Sequence, residues 1–84
     1  MPRYYFDVSV GDDFTRDDVG FEYENLAVAE AEAARAAAEI SQDALPKRRT
    51  SDVCVVVRVR DGDGLLLFTV EVSMNVRRTV RALA

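Results

Sequence analysis

The run from Leu26 to Ala44 is dense in alanine, and a helix made this way constrains the rest of the chain more than any other feature of the sequence. Alanine is the best helix former, and Asn25 just before the run offers a side-chain oxygen suited to the free amides of a first turn. Advancing about 100° per residue collects Leu26, Ala29, Ala33, Ala37, Ile40 and Ala44 into one stripe, with Glu32, Arg35, Glu39 and Gln42 opposite. Arg35 is spaced to pair with Glu32 at i−3 and Glu39 at i+4. Pro46 ends the helix by withholding an amide and disfavouring helical geometry at Leu45. A stripe of methyl groups lets the helix axis lie close to a sheet, so large side chains must come from strands. Tyr4, Phe6, Phe21 and Phe68 are placed to supply them.

The strands are legible on both sides of this helix. From Arg3 to Val10 the chain alternates, with Tyr4, Phe6, Val8 and Val10 on one side and Arg3, Tyr5, Asp7 and Ser9 on the other. Gly11-Asp12-Asp13 is a turn signal, and a weaker alternation of Val19, Phe21 and Tyr23 predicts a second strand centred on residues 19–23. Asp52 to Arg60 is β-branched throughout, and Leu65 to Met74 is its partner. The expected fold is α+β, a four-stranded sheet in β-β-α-β-β order with one long helix on one face. Residues 1–74 form the domain and residues 75–84 a basic C-terminal segment in which Val76, Val80 and Leu83 recur at near-helical spacing.

Asp61-Gly62-Asp63-Gly64 is the one place where acidic groups crowd beside glycines. Asp-Gly tolerates the positive φ angles of tight hairpins and here joins two runs of strong strand propensity, so the motif reads as a turn. A calcium loop would need a third acidic or amide ligand and a later glutamate, whereas residues 65–68 are Leu-Leu-Leu-Phe. No metal ligand, catalytic residue or cofactor is assigned. The chain contains no histidine, which removes Ser-His-Asp and Cys-His catalysis and imidazole-dependent zinc sites, and its single cysteine cannot form an internal disulfide.

Eighty-four residues make one domain with a thin core, and 49% apolar with 31% charged residues is the balance of a globular protein rather than a disordered one. No apolar run spans a membrane, and the early Asp7 leaves no stretch for a signal peptide, which together give an expected cytoplasmic location. The net charge of −4 hides a polarity: residues 1–45 carry eleven acids against three arginines, and residues 46–84 carry four acids against eight bases. This polarity reads first as two halves that attract each other in the fold. Lys47, Arg48 and Arg49 follow the carboxyl end of the helix, where exposed carbonyls favour cations.

One helix covers one side of such a sheet. Placing Leu66 and Phe68 towards it leaves Tyr5, Cys54, Val56, Leu65 and Leu67 on the far side as an apolar set that something should cover. Two compatible candidates for that cover are the segment 75–84 folding back as a helix and a second copy; the second copy makes those five residues a candidate dimer face, and an unidentified protein partner is compatible with it. The alternative is nucleic-acid binding, in the manner of antitoxin-like regulators, through Lys47, Arg48, Arg49, Arg77, Arg78 and Arg81.

Met1-Pro2-Arg3-Tyr4-Tyr5-Phe6, Asp17-Asp18-Val19-Gly20-Phe21-Glu22, the Ala-Glu-Ala-Ala-Arg of residues 31–35, and Val59-Arg60-Asp61-Gly62-Asp63-Gly64 carry a resemblance. Together they resemble a group of short bacterial domains of unknown function whose members often begin M-P-R-Y-F-F. The resemblance implies a β-β-α-β-β domain and carries over no catalytic or binding residue. Function is therefore expected to lie in association, as a small non-enzymatic homodimer.

Overall fold

Two long antiparallel strands, β4 (Val53–Arg60) and β5 (Leu66–Met74), form the hairpin that the Asp-Gly repeat announces. Asp61 Oδ1 accepts the amides of Asp63 at 2.9 Å and Leu65 at 3.0 Å, while its carbonyl accepts the Gly64 amide at 3.1 Å. Gly64 holds φ +84, the conformation that closes such a loop at least cost when no Cβ is present. The carboxylate of Asp61 thus organises its own turn.

A computed structural model describes residues 1–47, 53–75 and 79–80, with Lys47 and Val53 described by backbone alone. Around the hairpin, β1 (Arg3–Val10) pairs antiparallel with β4 and lies inside the sheet. The expected second strand exists in two pieces, β2 (Asp13–Thr15) against Val8–Val10 and β3 (Phe21–Glu22) against Arg3–Tyr4. Residues 16–20 bulge away between them. The order is therefore β-β-β-α-β-β, with β2 and β3 at one edge of the sheet and β5 at the other.

Helix α1 (Leu26–Ala44) starts where expected, Asn25 accepting the Val28 amide at 3.0 Å, and it runs on into a 3₁₀ turn over Leu45–Lys47 that contains Pro46. Arg35 donates to Glu32 and Glu39 at 2.7 Å each. The buried stripe is shifted from expectation: Ala29, Ala33, Ala37 and Ser41 face the sheet, followed by Leu45, while Leu26 stays exposed and Ile40 and Ala44 are half-buried. Ser41 fits because its hydroxyl donates to the Ala37 carbonyl at 2.6 Å within the helix.

Cross-strand register sorts the sheet into two faces. Towards the helix lie the rows Phe6–Val59–Phe68, Val8–Val57–Val70 and Val10–Val55–Val72. Val55, Val57 and Val59 are fully buried, each worth about 1.5–3 kcal/mol of transfer free energy. Tyr4, Phe6 and Phe68 supply bulk as expected, but Phe21 does not: it is 64% exposed. Tyr23 takes its place, stacking on Phe6 at a centroid distance of 5.8 Å and meeting Tyr4 at 6.2 Å.

A bulge at Val59/Arg60 corrects a second expectation. It sets Arg60 opposite Leu66, so Leu66 turns outward while Leu67 packs against the core, the reverse of strict alternation along β5. The expected helical return of residues 75–84 lies mostly outside the described residues; Asn75, Thr79 and Val80 belong to no helix or strand, and Val80 is exposed.

The closeness of α1 to the sheet can be measured by filling it. Ala33 is completely buried, so Ala33→Leu should overpack the contact and cost about 1–3 kcal/mol in denaturant unfolding.

Candidate functional site: the outer face and the free edge of the sheet

The face turned away from α1 carries the rows Tyr5–Arg60–Leu66, Asp7–Arg58–Thr69, Ser9–Val56–Glu71 and Cys54–Ser73. It is polar through its middle. The five residues expected to make an apolar dimer face are not gathered into one patch. Cys54 and Val56 are neighbours on β4, Tyr5 lies at the other end beyond Asp7 and Arg58, Leu65 is exposed in the hairpin, and Leu67 belongs to the helix side. Burial and the nearby Glu71 carboxylate push the Cys54 thiol above its ordinary pKa, which works against a reactive thiolate.

Tyr5 is covered from within the chain. The Arg60 guanidinium stands 4.7 Å above its ring, and the segment 16–20 folds over it. A Cβ at Gly20 would lie 2.8 Å from Tyr5 Cε2 and 2.9 Å from Cδ2, and Gly20 holds φ +75. Both facts require glycine there.

Beneath this cover sits a network that sequence reasoning did not find. Arg60 Nε donates to Asp7 Oδ2 at 2.8 Å, and Arg60 Nη2 donates to Asp7 Oδ1 at 3.3 Å and to the Asp17 carbonyl at 2.7 Å. Asp7 Oδ1 also accepts the Asp17 amide at 2.9 Å. Asp17 in turn spends its carboxylate on the main chain, Oδ2 accepting from Phe6 at 3.0 Å and Oδ1 from Val19 at 3.0 Å and Gly20 at 2.9 Å. The signal in the sequence was an acid in the middle of a strand, Asp7, whose arginine neighbours on β4 lie more than fifty residues away.

The electrostatics follow from these bonds. The Arg60 guanidinium holds the Asp7 carboxyl below its ordinary value against the opposing pull of burial, with the Asp17 amide helping. Burial pushes Asp17 up, and the amides of Gly20, Phe6 and Val19 together outweigh it, so Asp17 also ends lowered. Both acids are therefore ionised at neutral pH, and their oxygens are engaged in holding the segment 16–20 onto the sheet. Among the described residues, no three His, Cys, Asp or Glu side chains converge as a metal-binding group. A shallow open recess beside this segment is lined by Met1, Arg3, Val19, Gly20, Phe21 and Glu22.

The other expected site, the basic set, lies almost wholly outside the described residues: Arg48, Arg49, Arg77, Arg78 and Arg81 are not described, nor is the side chain of Lys47.

The free edge is the remaining feature. The Phe6 amide points to Asp17, away from β4. Antiparallel alternation then turns the main-chain groups of Val55, Val57 and Val59 towards β5, and those of Phe68, Val70 and Val72 back towards β4. The N–H and C=O groups of Thr69, Glu71 and Ser73 consequently point outward from the sheet. Among the described residues no strand pairs with them.

Two predictions test the network. Asp7→Asn should cost about 1.5–3 kcal/mol, the usual value of hydrogen bonds to a charged group. Because Asp7 and Asp17 titrate below the ordinary 3.8, their contribution is complete above that pH and is lost as the pH falls through their lowered values. Denaturation midpoints measured from pH 7 down to pH 2 should therefore drop in acid, and drop less in Asp7→Asn. Separately, Gly20→Ala should cost at least about 1–2 kcal/mol from left-handed backbone alone, while Gly62→Ala, with ordinary φ and open space around it, should stay within about 0.5 kcal/mol of wild type.

Comparison with known proteins returns no match among curated proteins and none among solved structures. No helix of the described residues is long and apolar enough to cross a membrane. The family profile described as Domain of unknown function (DUF6894) matches residues 3–73, nearly the whole of the sheet and helix just described, and the chain belongs to that family.

Proposed function

We propose that this protein is a small interaction module that acts as a homodimer and works by association rather than by chemistry of its own. The observation that carries this reading is the edge of β5, which no strand pairs among the described residues and which is nine residues long with no proline, no lysine and a single charged residue, Glu71. Edges of that length and composition pair readily with another strand, and proteins that avoid association usually interrupt them. The commitment of Asp7, Asp17 and Arg60 to one another supports the same reading, since the densest charged cluster of the sheet is engaged in holding the fold. A domain this small also gains from further burial.

Sedimentation equilibrium at micromolar concentration tests it, with an expected mass of about twice the 9.4 kDa of the chain. A monomer across the concentration range would sink the reading. Retention on heparin that disappears steeply with salt would favour nucleic acid instead, because phosphate contacts release counterions.

A further inference from the structure

We infer that the occupant of the β5 edge is β5 of a second copy, paired antiparallel about a two-fold axis through Val70, so that Thr69 of each chain faces Glu71 of the other; this rests on the homodimer reading above. The hydrogen-bonding parity of the edge limits the registers available. Outward main-chain groups belong to Thr69, Glu71 and Ser73, so a hydrogen-bonded pair must join two of these. Centring on Glu71 would set two like charges directly opposite each other, which destabilises a strand pair. Centring on Val70 sets Glu71 against a neutral threonine in both halves. It also brings Val72 of one chain beside Phe68 of the other on the helix side, where these half-buried residues need cover.

Charge complementarity favours the same register. Arg58 is exposed and, among the described residues, donates only a 3.3 Å bond to the Ser9 hydroxyl, while Glu71 has no ion pair among them. Arg58 lies directly across from Thr69 on the outer face. Adding the second copy extends that row to Arg58, Thr69 and then Glu71 of the second copy, and two-fold symmetry repeats it. Each Arg58 gains an acid in line with it.

The opposite edge explains why pairing would stop at two. There β2 and β3 are short, and Asp17 already occupies the Phe6 amide between them. An isologous pair uses the open edge of both chains and leaves the closed edges outermost, so it forms a closed dimer rather than a fibre.

Sedimentation of the full chain with three variants tests the register. Thr69 is exposed, so Thr69→Glu should leave the circular dichroism of the chain unchanged while raising the dimer dissociation constant at least tenfold. Adding Glu71→Arg to Thr69→Glu should restore it, because each new glutamate then faces an arginine. In a Cys54→Ser background, Val70→Cys should form a disulfide-linked dimer on mild oxidation, and Glu71→Cys should not. A wild-type monomer would overturn both this inference and the homodimer reading. A wild-type dimer indifferent to Thr69→Glu would overturn the edge while leaving the dimer standing. A split that Glu71→Arg fails to restore, or cross-linking through Glu71→Cys, would overturn the register.

Discussion

The Asp17 carboxylate takes the place of a missing length of strand. Between β2 and β3 the chain leaves the edge of β1, and the part-buried Phe6 amide there has no strand partner. One oxygen of Asp17 accepts that amide, and the other fixes the turn through Val19 and Gly20. A buried amide left unpaired costs about 1–3 kcal/mol, so this bond decides whether the edge closes. Arg60 then secures the arrangement from the far side, binding both the Asp17 carbonyl and Asp7, and Tyr5 lies under its guanidinium. The position of the segment 16–20, the cover over Tyr5 and the need for glycine at position 20 all follow from that linkage.

The same linkage gives the sheet its asymmetry. One edge is made of short strands, a turn and a carboxylate, and presents little main chain to a neighbour. The other is a long strand whose outward groups have no partner among the described residues. Helix α1 lies against β4 and β5 through bare methyl groups, with the aromatic cluster of Tyr4, Phe6 and Tyr23 filling the β1 side. Thus the half of the core nearest the β5 edge is built from small helix residues, Leu67, Phe68 and half-buried valines. Additional burial there would cover Phe68, Val70 and Val72, which one chain leaves half-buried.

What could be read from the sequence was local. The helix from Leu26 to Ala44, its Asn25 cap, the Arg35 pairs and the hairpin at Asp61–Gly64 depend on residues within a few positions of one another, and all stand in the structure. The errors came where long-range geometry intervenes. Strict alternation along β5 failed at the Val59/Arg60 bulge, which exchanged Leu66 and Leu67 between faces. Strict alternation before the helix failed because β3 is only two residues long, leaving Val19 and Phe21 exposed and Tyr23 to reach the core alone. The Asp7–Arg60 pair spans 53 positions, and no periodicity connects residues so far apart.

The charge polarity of the chain has a similar explanation. The acidic first half and the basic second half meet on the outer face, where Asp7 of β1 lies opposite Arg58 of β4 and is bound by Arg60. Arg60 binds both oxygens of Asp7 and donates from Nη2 to the Asp17 carbonyl as well, so Asp7 has no further need of Arg58. Arg58 stands one strand in from the β5 edge, and among the described residues its hydrogen bond goes to the Ser9 hydroxyl. Among the described residues Arg58 has no carboxylate bound to it, and it stands in the row that an added strand would extend. The fold's internal electrostatics therefore point outward at the same place as its unpaired backbone.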